Sequence, residues 1–113
     1  MPTFVFSQNR DFYGQTFAEC SAYNWDAFTI ATKLFKDSDM AAQRAKLSRE
    51  NLDFAAKLIG NKRATDISSN ILKTTRVYQS NPEAYVNYVG KHIQECDNFI
   101  INNVKNVQKL LGQ

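Results

Sequence analysis

Eight positions near the end of the chain, Tyr85, Val89, His92, Cys96, Phe99, Asn103, Val107 and Leu110, follow one another in steps of four and three. A spacing of about 3.5 residues is that of a helix laying one narrow stripe against another helix. Such a segment is committed to being helical and to having a partner. Ser80-Asn81-Pro82-Glu83 opens it, since proline is accepted in the first turn and the Asn or Ser just before it can cap. Unbroken to Leu111, the helix is about 45 Å long at 1.5 Å per residue. That is much longer than the segment preceding it, so its tail is expected to project or to pair with a second copy. The predicted oligomer seam is Tyr85, Val89, His92, Cys96, Phe99, Val107 and Leu110, and the chain is expected to be a homo-oligomer.

Upstream, helical spacing continues. Residues 1–10 show no sustained period and read as an extended arm, with a single helical domain over 11–113. From about Phe12 to Lys36, Tyr13, Phe17, Cys20, Ala27, Ala31 and Leu34 form one stripe, with Phe28 and Phe35 beside it. Ser38 is a good N-cap for a second helix, from about Asp39 to Ile59, in which Met40, Leu47, Phe54, Leu58 and Ile59 recur. Gly60-Asn61 is a stop signal, and a basic connector to Ala64 leads to a third helix from Thr65, presenting Ile67, Ile71, Leu72 and Tyr78. No segment alternates as a strand does. The predicted fold is all-α, an antiparallel bundle of three to four amphipathic helices with a long C-terminal helix. With 113 residues, 43% hydrophobic, one core is the natural outcome.

Chemistry is sparse. The only histidine, His92, sits on an apolar stripe without a second histidine or a carboxylate at ligand spacing, so it reads as a core or seam residue rather than a metal ligand. His92 and Cys96 at i and i+4 are the minimal pair for an activated thiol, yet nothing nearby orients them. The four glycines are isolated, which excludes a phosphate loop, and no Glu-x-x-His occurs. These features argue against catalysis, a metal and a cofactor. Cys20 and Cys96, 76 residues apart, read as two small apolar side chains in a reducing compartment. The start of the chain lacks the basic and apolar pattern of a signal peptide, and no apolar run is long enough to span a membrane, so a cytoplasmic location is expected.

Charge and aromatics are uneven. Net charge is +3, but residues 41–79 carry eight basic and three acidic side chains, the basic ones being Arg44, Lys46, Arg49, Lys57, Lys62, Arg63, Lys73 and Arg76. That stripe is either a solvated face or a surface for an anionic partner such as nucleic acid or phospholipid. Nine of the fourteen aromatic residues fall in the first 35 positions, more than one helix face can hide. Some aromatic area is therefore expected at the surface, where it marks an interaction site.

Tyr23-Asn24-Trp25-Asp26-Ala27-Phe28, followed by Ala41-Ala42-Gln43-Arg44, Glu50-Asn51 and Phe54-Ala55-Ala56-Lys57-Leu58, resembles the phasins, bacterial proteins that coat polyhydroxyalkanoate storage granules. Glu83-Ala84-Tyr85 to Phe99 is similar to the closing helix of that family. The likeness covers about residues 17–105, and the chain departs from it in carrying as many asparagines as alanines, eleven of each, and in the Asn81-Pro82 break. It implies a non-enzymatic protein with no cofactor, adsorbed to a hydrophobic polyester surface through Phe17, Phe28, Phe35, Leu47, Phe54 and Leu58. The alternative from the residues alone is a small helical nucleic-acid-binding or regulatory module using the basic segment 44–76.

Overall fold

The computed structural model describes residues 2–112, with side chains from Asn9 onward. Four α-helices form an antiparallel bundle: α1 (Pro2–Ile30), α2 (Ser38–Ile59), α3 (Asn61–Thr75) and α4 (Pro82–Leu110). A π-helical turn, Ala31–Phe35, extends α1, and a 3-10 turn, Arg76–Tyr78, follows α3. The described residues contain no strand. The fold is all-α with a long C-terminal helix, and none of the described helices is long and apolar enough to cross a membrane.

α1 is the central element. From Phe17 to Asp26 every residue except Glu19 and Trp25 is buried, because the other three helices pack around it. Small side chains make this possible. Across α1 and α2, the Ser21 hydroxyl donates to the Ser48 carbonyl and the Ser48 hydroxyl donates to the Ser21 carbonyl, both at 2.8 Å. Such a reciprocal pair forms only where two backbones approach closely, and Gly14, Ala18 and Ala55 keep them close on either side.

α3 runs parallel to α1. Arg63 meets Asp11 near one end, and Thr75 lies beside Asp26 near the other. Its inward residues are Ala64, Ser68 and Thr75, flanked by the half-buried Ile67, Ile71 and Leu72. The core divides along the bundle. One cluster gathers Phe17, Ala18, Ala55, Leu58, Ala64 and Val107, and the other Cys20, Tyr23, Ile30, Tyr85, Val89, Ile93 and Cys96.

Several boundaries differ from expectation for local reasons. The helix begins at Pro2, so residues 2–10 are its first turns and not an extended arm; proline suits a first turn, and no glycine intervenes before Gly14. Met1 and the side chains of Phe4 and Phe6 lie outside the described residues. Arg10 anchors this stretch by donating to the carbonyls of Lys57 and Leu110, near the C-terminal ends of α2 and α4.

The N-cap of α2 is Asp37, whose Oδ1 accepts from the Met40 amide at 3.0 Å, and Ser38 is the first helical residue. The chain has room for a cap there because Lys36 takes a left-handed conformation at φ 55° after the π turn. No connector separates α2 from α3. Gly60, at φ 92°, caps both: its amide donates to the Ala56 carbonyl, and its carbonyl accepts from Ala64. Asn81 caps α4 as its position before Pro82 suggests, accepting from the Ala84 amide at 3.2 Å.

Two glycine substitutions test this packing with opposite signs. A Cβ at Gly14 would collide with Ile59, whose Cγ1 and Cβ lie at 3.1 and 3.2 Å. Gly14→Ala should therefore lower stability by about 1–3 kcal/mol despite its better helix propensity. At Gly90, in the interior of α4, a Cβ meets nothing within 4 Å. Gly90→Ala should raise stability by up to about 1 kcal/mol. Urea unfolding of both variants reads the difference.

Candidate functional site

The stripe on α4 has its partner within the same chain. Antiparallel to α1, its residues meet the central helix in order: Tyr85 against Asp26, Tyr88 and His92 against Tyr23, Cys96 against Cys20, and Phe99 against Phe17 and Tyr13. Val107 is fully buried beside Phe17 and Leu58. The seven residues expected to form an oligomer seam, Tyr85, Val89, His92, Cys96, Phe99, Val107 and Leu110, are thus buried or half-buried in this chain's own bundle. The tail of α4 does not project. It is as long as α1, at 29 residues each, and packs along it.

Cys20 and Cys96 form a disulfide, with Cα atoms 5.6 Å apart. This overturns the reading of two reduced apolar side chains. It also removes the thiol from the His92–Cys96 pair, since neither sulfur is free. His92 instead stacks face to face on Tyr23 at 4.2 Å, with Tyr88 at 4.7 Å and the Glu95 carboxylate 3.8 Å from Nδ1. Cys20, Cys96, Tyr23 and His92 line an open cleft of about 350 Å³ together with Thr16, Glu19, Glu95 and Phe99. No group of three or more metal-ligating side chains occurs among the described residues.

Nearly two turns along α1 from the disulfide, Asp26 is only 2% exposed. Its Oδ1 accepts from the Tyr85 hydroxyl at 2.6 Å, whereas Oδ2 has no partner. Burial raises the carboxyl pKa above the ordinary value; the Tyr85 hydroxyl, which donates to it, pulls the other way, as does the nearby Thr75 hydroxyl, whose own hydrogen bond goes to the Leu72 carbonyl. Burial also raises Glu19, partly offset by His92. Tyr23 and Tyr85 are pushed up as well, by burial first and then by hydrogen bonding to Tyr88 and Asp26 respectively. The α1–α4 seam is therefore the part of the interior that holds ionisable groups. Asp26 is not among the predicted seam residues, although it follows Cys20 and Tyr23 at steps of three on α1.

The six residues expected to touch a hydrophobic surface divide. Phe17 and Leu58 are core, and Phe54 is half-buried with its ring 5.3 Å from Phe17. Leu47 is half-buried in a shallow groove beside Arg44, Asp97 and Ile100. Phe28 is half-buried and packs on Trp25 at 4.7 Å. Only Phe35 is well exposed. Trp25, Leu34, Phe35 and Met40 are 44%, 41%, 52% and 38% exposed, in the last third of α1, the π turn and the first turn of α2, while Phe12, Val77 and Ile101 are exposed elsewhere on the bundle. Trp25 lies in the stretch that carries the resemblance but is not in the predicted contact set.

Most of the basic segment is paired. Arg44 forms a two-pronged ion pair with Asp97 at 2.9 and 3.1 Å and also donates to Asn24, tying α2 to α4 and α1. Lys46 pairs with Glu50, Lys57 with Asp53, Lys62 with Asp66 and Arg63 with Asp11. Arg49, Lys73 and Arg76 form no ion pair among the described residues, so the stripe of eight is not a continuous cationic surface. Compared with family models, curated proteins and solved structures, the chain matches none.

Replacing Asp26 tests the seam. A carboxyl whose pKa is raised by folding is neutral in both states at low pH and must ionise inside the fold at higher pH. Its stabilising share is present below the unfolded pKa and is lost as pH rises through the folded one. Asp26→Asn should therefore be more stable than the parent by on the order of 1–2 kcal/mol at pH 7.5 and indistinguishable below about pH 4. Urea midpoints across that range measure it.

Proposed function

We propose that this chain is a non-enzymatic, phasin-like protein that adsorbs to a hydrophobic polyester surface in the cytoplasm. The observation that carries the reading is the exposed aromatic and aliphatic group of Trp25, Leu34, Phe35 and Met40, with Phe28 beneath Trp25. Four of the seven exposed large apolar side chains of the described residues fall within residues 25–40, whereas Phe12, Val77 and Ile101 stand apart; exposed apolar area marks an interaction surface, and each large side chain buried there contributes on the order of 1.5–3 kcal/mol. Lys33 and Lys36 flank the group and keep their charges in water. Phe28 and Phe35 remain from the set suggested by the resemblance. Phe17, Phe54 and Leu58 serve the closed bundle and leave the contact to α1 and the π turn. The nucleic-acid reading is the weaker one, because five of its eight basic side chains already face carboxylates.

The test is co-sedimentation of the purified protein with polyhydroxyalkanoate particles, and separately with DNA, each at low and high salt. Retention on the polymer should survive high salt, since apolar contact is not screened as phosphate contact is. Trp25→Ser combined with Phe35→Ser should cut retention at least about tenfold while leaving the helical spectrum intact. Unchanged retention by that folded variant, or salt-sensitive binding to DNA alone, would overturn the reading.

A further inference from the structure

We infer that the Cys20–Cys96 disulfide is a redox latch on α4: oxidised, it locks the helix onto α1; reduced, it lets α4 swing out on the Arg76–Asn81 connector and expose its apolar stripe.

Three observations converge on this. The bond is the only covalent tie across 76 residues, and it crosses the α1–α4 seam rather than the α1–α2 contact. The two interfaces of α1 differ in quality. Against α2 the central helix makes the reciprocal Ser21–Ser48 hydrogen bonds, whereas against α4 it buries a carboxylate with one oxygen unpartnered, Asp26. The other unpartnered buried side-chain atom among the described residues, Asn51 Nδ2, belongs to an uncharged amide. An ionisable group without a full set of partners weakens the interface holding it, so the cross-link sits in the seam that carries this cost. Finally, the chain enters α4 through a 3-10 turn and a short bend before Pro82, a segment that can act as a hinge once the Arg44–Asp97, Arg10–Leu110 and Tyr85–Asp26 contacts of α4 are released.

The chemistry is a thiol–disulfide exchange with a dithiol reductant entering by the cleft that both sulfurs line. One reductant thiolate attacks a sulfur of the pair, the S–S bond breaks, and the departing sulfur leaves as a thiolate and takes a proton. The reductant's second thiol then resolves the mixed disulfide. Two electrons and two protons pass to Cys20 and Cys96, and the reductant leaves as its own disulfide. In a cytoplasm, where thiol pools keep most cysteines reduced, a disulfide of this kind is a sensing element rather than a permanent brace. Opening would add Val89 and Ile93 of α4, with Tyr23 and Ile30 of α1, to the apolar surface. That last consequence and the cytoplasmic setting rest on the proposed function; the opening of α4 on reduction does not.

Hydrogen exchange followed by mass spectrometry on the full chain in solution, oxidised and after treatment with dithiothreitol, decides the matter. Reduction should speed exchange across residues 82–110 at least tenfold, up to the order of a thousandfold that release of so long a loop permits. Exchange in α1 and α2 around Ser21 and Ser48 should change by less than threefold. Cys20→Ala combined with Cys96→Ala should behave as the reduced chain without reagent, and adding Asp26→Asn should slow α4 exchange again. Unchanged protection in α4, or equal loss of protection in all four helices, would overturn the latch, as would a failure of Asp26→Asn to restore it. No particle is present, so these outcomes are independent of whether the chain binds polyester.

Discussion

A helix that meets solvent only at Glu19 and Trp25 over its central turns dictates the rest of this structure. Between Phe17 and Asp26, α1 is enclosed by three neighbours, and its own residues must suit each of them. Towards α2 it offers Ala18 and Ser21, small enough for backbones to touch. Towards α4 it offers Cys20, Tyr23 and Asp26, each with a specific partner. Because α1 is apolar and small on most sides, α2, α3 and α4 need only one inward face each, and their outward faces are free to carry the intrahelical ion pairs Lys46–Glu50, Lys57–Asp53 and Lys62–Asp66.

How much of this was legible follows from how each signal is encoded. The α4 stripe was visible because large apolar residues recur at helical spacing, and the Asn81 cap because proline fixes the following turn. The partner of that stripe was not visible. A central helix has no contrast between faces, so its periodicity is blurred and it does not advertise itself as the surface α4 needs. α3 misled for a related reason: its inward residues are Ala64, Ser68 and Thr75, chosen for size, while the apolar Ile67 and Leu72 flank the contact. A hydrophobic pattern finds faces that bury area and overlooks faces that permit close approach.

The disulfide and the basic stripe teach the same point about pairs. Cys20 lies on the α1 stripe and Cys96 on the α4 stripe, so once the two helices are antiparallel neighbours their meeting is a matter of register. Neither residue announces it alone. Likewise Arg44, one of eight basic residues by composition, becomes the node joining Asp97 and Asn24 only when three helices come together. Sequence counts charges; the fold decides which remain available to a partner.

The two surfaces of α1 also separate what the protein hides from what it displays. Phe17 and Leu58 contribute to a core that closes the bundle, and a chain using them for adsorption would have to unfold that core. Trp25 and Phe35 involve no such cost, being exposed already where the π turn ends the helix. The α1–α4 seam lies between these extremes. Its apolar residues are buried, yet a carboxylate is buried with them, and the cross-link offsets what that carboxylate costs. Apolar surface held closed by a reducible bond over an imperfect interface is neither inert core nor permanent binding face, and it makes the exposure of hydrophobic area in this small bundle conditional on the state of two sulfur atoms.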